Sequence, residues 1–131
     1  MRRAVLFPIL LLCAACARNG AITSRVASDR TLADARTCAM YRLQSLGYTI
    51  VENKSSSNAV EGVRAAVAPD VTSDRIDVVI TENNNDRVPV GRPNNTLTIT
   101  VHTLDANGKE LAASGKAQAD GVNVSTACSK Q

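Results

Sequence analysis

Apolar positions change period along this chain, and the changes mark out its elements. Between Thr31 and Leu46, the residues Leu32, Ala35, Ala39, Leu43 and Leu46 recur three or four apart and share one stripe. Arg36, Arg42 and Gln44 lie mostly off it. Thr31 can cap the first turn, Asp34 suits the positive end of the helix dipole, and Gly47 supplies a left-handed stop. The spacing predicts an amphipathic helix that covers a sheet.

Beyond Gly47 the period shortens to two. Tyr48 to Glu52 predicts a first strand, and Asn53 to Asn58 a turn-rich connection. Ala59 to Val67 predicts a second strand, ended by Pro69-Asp70. In Arg75 to Glu82, Ile76, Val78 and Ile80 alternate with Asp77, Val79 and Thr81. Thr96 to Leu104 alternates best: Leu97, Ile99 and Val101 face one side, and Thr96, Thr98, Thr100 and His102 the other. Asp105-Ala106-Asn107-Gly108 reads as a hairpin turn, and Lys109 to Ala119 as a returning strand. The tail from Gly121 to Gln131 carries at most a final helical turn around Cys128. Asn83 to Asn95 has no period and reads as a long loop.

A helix followed by strands, with no βαβ alternation, predicts an α+β domain over 31–131. Its expected form is one N-terminal amphipathic helix on a four- to five-stranded antiparallel sheet. The other sheet face, rich in threonine and charge, is expected to meet water or a partner.

The start of the chain has a different character. Met1, Arg2 and Arg3 form a basic region, and Ala4 to Leu12 an apolar run too short to span a bilayer. Leu11-Leu12-Cys13-Ala14-Ala15-Cys16 follows. This resembles the lipobox of bacterial lipoproteins, matched at Ala14, Ala15 and Cys16, with Cys13 where the family usually has leucine. The resemblance implies a signal peptide over 1–15 and a mature chain that begins at Cys16 and carries fatty acyl chains such as palmitate. Ala17 is not the aspartate that commonly retains such proteins in the inner membrane. The resemblance therefore implies an outer-membrane anchor facing the periplasm, in a host with that membrane. It covers about 20 residues and says nothing of the domain behind them. Residues 16–30 read as the lipidated cysteine and a small, polar, flexible tether. Ala15-Cys16-Ala17 also fits an A-x-A site, which predicts cleavage before Arg18 and a soluble secreted product.

Composition and charge narrow the function. Aromatics are 2% of the chain, so the core must be aliphatic. Removing Arg2 and Arg3 from 15 basic residues leaves 13 against 12 acidic ones, a balance without an electrostatic footprint for nucleic acid. Cys38 and Cys128 are the cysteines left behind the leader, and an oxidising envelope favours pairing them.

No cofactor, metal or catalytic motif is recognisable. Asp70, Asp74 and Asp77 lack a calcium-loop pattern. The N-x-[ST] triplets at Asn53, Asn94 and Asn123 read as chance behind a bacterial-type leader. His102 stands alone, with nothing to place a nucleophile or an orienting acid beside it.

The leading expectation is a non-catalytic binding or structural module, anchored to a membrane through Cys16, that acts through contacts with a ligand or with another envelope protein, its partner unidentified by the sequence. Its contact surface is expected at Asn83, Asn84, Asn85, Arg87, Arg92, Thr98, Thr100 and His102. The alternatives are a small envelope hydrolase using His102 and a surface protein with no specific ligand.

Overall fold

A chain that must bury mainly Leu, Ile, Val and Ala, with Tyr48 the one buried aromatic among the described residues, needs close approach between its layers. The computed structural model of this protein describes residues 20–52, 56–65, 72–83 and 95–129. In order they form β1 (Ile22–Ser28), α1 (Leu32–Ser45), β2 (Thr49–Ile50), β3 (Ala59–Ala65), β4 (Ser73–Glu82), β5 (Asn95–Leu104), β6 (Glu110–Leu111) and α2 (Gly115–Ser129). The strands make one six-stranded antiparallel sheet in the order β1-β5-β4-β3-β2, with β6 also on β5. Both helices pack on the same face. α1 lies over β2, β3 and β4, and α2 over β1, β4 and β5.

The fold is α+β, as the element pattern implies. Helix α1 buries Ala35, Ala39 and Leu43, and Leu32 and Leu46 pack at the margin. The Thr31 hydroxyl accepts from the Asp34 amide, which caps the first turn. Gly47, at φ +90°, ends the helix in a conformation that glycine adopts without strain. From the sheet, Val60, Ile76, Val78, Ile80, Leu97, Ile99 and Val101 face the helices and are buried. The phases read from β4 and β5 are therefore the observed ones.

Four expectations need correction. The flexible tether expected over 16–30 does not extend through that range. Ile22–Ser28 form an edge strand, with Ile22 paired to Val101 and Ser28 to Asn95. The segment reads as polar because five of its seven residues are exposed at that edge, while Val26 and Ser28 turn toward the core. The helix is consequently not the first element.

The returning strand expected over Lys109 to Ala119 shrinks to Glu110–Leu111, and the chain turns into α2. Small residues fit either period here. Ala117, Asp120, Gly121, Val124 and Cys128 form the buried helical stripe. The Ser114 hydroxyl caps α2 by accepting from the Ala117 amide. A Cβ on Gly121 would lie 2.6 Å from a Val101 methyl, so this glycine sets how closely α2 approaches β5. The expected single helix on four or five strands thus becomes two helices on six.

A disulfide joins Cys38 of α1 to Cys128 of α2, with 5.7 Å between Cα atoms. It fastens the two helices to each other across a sequence separation of 90 residues. Closing so long a loop restricts the unfolded chain, an effect of about 4–5 kcal/mol in the chain-entropy picture. Replacing both cysteines by alanine should lower unfolding stability in denaturant by about 2–5 kcal/mol relative to the oxidised protein. A loss well under about 1 kcal/mol would show that the bond restrains little.

Candidate functional site

The sheet face opposite the helices is uncovered by any described element. Cross-strand register decides what stands on it. Glu61 lies directly opposite Asp77, and Arg75 directly opposite His102. Like charges placed directly opposite destabilise a sheet. Here the diagonals give the facing Glu61 and Asp77 carboxylates partners of their own. Arg75 Nε lies 3.2 Å from Glu61 Oε1, and His102 Nε2 lies 3.0 Å from Asp77 Oδ2. The Arg75–Glu61 contact is an ion pair by distance but lacks hydrogen-bond alignment at that nitrogen.

Glu110, brought back by β6, adds a second carboxylate 2.6 Å from His102 Nδ1. The turn that returns it is built locally. Asp105 Oδ1 accepts from the Asn107 and Lys109 amides, and Gly108 donates to the Asp105 carbonyl. His102 is thus not the lone strand histidine its sequence context suggests. Both ring nitrogens lie within hydrogen-bond distance of a carboxylate, so the ring is clamped between Asp77 and Glu110.

Away from this charged corner the face is hydroxyl-rich. Thr100 pairs with Thr23, their oxygens 3.3 Å apart, and Thr98 lies between Arg25 and Val79. Val79 is 41% exposed, an apolar spot in a polar field. Thr98, Thr100 and His102, expected as contact residues, therefore share one continuous face. Asn83 lies beyond the far end of β4 and accepts a hydrogen bond from Thr96 at 3.4 Å. Asn84, Asn85, Arg87 and Arg92 lie outside the described residues, as does Cys16. The sequence alone does not single out Glu61, Arg75, Asp77 and Glu110, which the fold brings to this face. Asp77 shares its strand phase with the threonines across from it, which was the available signal.

A second polar cluster sits beneath the sheet. Arg64 of β3 donates to Asp74 of β4 at 3.0 Å and to Asp120 of α2 at 2.8 Å. It also donates to the Leu46 carbonyl, and its guanidinium stacks 4.3 Å from the centre of the Tyr48 ring. Tyr48 donates to Asp120, while Thr103 and Ser114 donate to Asp74. Burial acts to lower the Arg64 pKa, but the hydrogen bonds to Asp74 and Asp120 prevail and hold it above its ordinary value. Burial holds the Tyr48 phenol above its ordinary value; Arg64 opposes the rise and Asp120 adds to it. Asp74 and Asp77 consequently point to opposite faces of the sheet. Among the described residues, no cluster of three or more His, Cys, Asp or Glu is arranged to hold a metal ion.

On the outer side of α1, a shallow groove of about 490 Å³ is lined by Arg30, Asp34, Thr37, Cys38, Tyr41 and Arg42. It holds two guanidiniums and one carboxylate around the half-buried disulfide sulfur of α1.

Two contrasts test these assignments. Arg64→Met leaves Asp74 and Asp120 buried without their cation and should cost about 3–5 kcal/mol of stability. His102→Thr removes a partly exposed clamp and should cost under about 1 kcal/mol. Equal losses in denaturant melts would contradict the division between buried hub and surface clamp. Tyr48 supplies a pH test. A free phenol ionises near pH 10, whereas the folded protein keeps this proton, so unfolding at higher pH releases it. Its contribution is full below about pH 10 and is lost as pH rises beyond. Stability should fall less steeply between about pH 9.5 and 11 in Tyr48→Phe than in the wild type, and equal slopes would contradict the role.

Compared with known proteins, the chain matches no protein-family model and no curated protein closely enough to count as a relative.

Proposed function

We propose that this protein is a small cell-envelope lipoprotein whose domain is a non-catalytic binding module for another envelope protein. In this reading Cys16 is acylated and holds the domain to a membrane, the outer membrane facing the periplasm where the host has one. The uncovered sheet face, around Thr98, Thr100 and His102, makes the contact.

One observation carries the reading most. Both helices pack on one side of the sheet, and on the other side Glu61, Arg75, Asp77, His102 and Glu110 are already paired with one another. A partner meeting such a face need not order it first, which lowers the cost of association. Edge-on diagonals also give the face a fixed pattern of charge, suited to selecting a partner more than to raw affinity. The Cys38–Cys128 disulfide fits an oxidising compartment. No helix of the described residues is long and apolar enough to cross a membrane, so attachment in this reading falls to the acyl chains.

Mass spectrometry of the membrane fraction tests the anchor. The expected mature N-terminus is an acylated Cys16, and an unmodified N-terminus at Arg18 would overturn it. Photo-crosslinking residues placed at Thr98 and at Gln118 test the face in the native membrane. Thr98 should capture one recurring envelope protein and Gln118, on the helix layer, should not. Capture from Gln118 alone would move the contact to the helices.

A further inference from the structure

The edge strand Ile22–Ser28 shortens the connection between anchor and domain, and it also fixes where that connection arrives. With Cys16 as the first mature residue, four peptide steps separate it from Gly20, a span of at most about 14 Å even when fully extended. Gly20 forms a parallel bridge with Ala112, and Ile22 pairs with Val101. The chain therefore enters at the end of the sheet that carries the Asp105–Lys109 turn and the start of α2. The opposite end of β5, at Asn95, lies about 30 Å farther along the strand. A connection of that length leaves the two ends unequal with respect to the bilayer.

Charge at the entering end agrees. Lys109 and Lys116 are exposed, and among the described residues neither has an ion-pair partner. The nearby acids are already engaged. Asp105 is bound to two backbone amides of its own turn, and Glu110 to His102. Those carboxylates keep their charge but are held in place, and the charged groups of this end that no described residue holds are its two ammonium groups, which anionic headgroups attract within a Debye length.

We propose that the sheet end formed by the Asp105–Lys109 turn and the first turn of α2 rests on the phospholipid headgroups, with Lys109 and Lys116 against anionic lipid. The β4–β5 end then points away from the bilayer, and the open face stands roughly upright where a neighbouring envelope protein can reach it. This proposal rests on acylation at Cys16.

The test uses the full acylated chain in vesicles of phosphatidylethanolamine and phosphatidylglycerol that contain a headgroup nitroxide lipid. A fluorophore is attached through Ala106→Cys or through Thr81→Cys, both exposed positions. Quenching should be several-fold stronger at 106 than at 81, and Lys109→Glu with Lys116→Glu should reduce it at 106. Vesicle flotation is measured on the same samples. Protein that floats yet is quenched equally at both positions would overturn the docking while leaving the anchor intact. Protein that does not float would overturn the anchor, and the docking with it.

Discussion

A guanidinium enclosed between two carboxylates constrains this fold more than any other contact. Removing Arg64 from water is costly unless its partners sit in place, because an unpaired buried charge has no compensation. Those partners come from separate elements: Asp74 from β4, Asp120 from α2, the Leu46 carbonyl from the end of α1 and the Tyr48 ring just beyond it. Satisfying Arg64 therefore requires the sheet and both helices to be assembled in one arrangement. Asp74 extends the network, since Thr103 and Ser114 also donate to it and Ser114 caps α2.

The helices are fastened to the sheet and to each other at two places. Arg64 works at the end of the sheet near Thr103. The Cys38–Cys128 bond lies toward the other end, where Ser28 donates to the Cys128 carbonyl. Between them the core is aliphatic and thin, with alanines at 35, 39, 113 and 117 and Gly121 against Val101. Both helices pack on one face, no described element covers the other, and the diagonal pairs Arg75–Glu61 and His102–Asp77 order it. Rigidity below and paired charge above are the properties a docking platform needs.

Much of this was legible where side chains are large enough to declare a period. The stripe of α1 and the phases of β4 and β5 stand out because Leu, Ile and Val alternate with Thr, Asp and Arg. Helix α2 was not legible, because alanine and glycine suit a strand and a helix alike, and only the fold showed which period they serve. The edge strand β1 was masked by its own exposure. Arg64 and Asp120 could not be paired before α2 was known to be a helix, although Asp74 carried a hint as a charged residue in the inward phase of β4. His102 looked solitary because Asp77 and Glu110 reach it only through strand register and a hairpin turn.

The central claim is that Arg64 and the disulfide make the helices and the sheet one cooperative unit. Native-state hydrogen exchange tests this most directly, by comparing opening free energies for the amides of α2 with those of β4 and β5. The account predicts that the central amides of α2 exchange only through global unfolding, at the same free energy as the strands, in the oxidised protein. Exchange of α2 through a separate opening of much lower free energy, with β4 and β5 still protected, would contradict it.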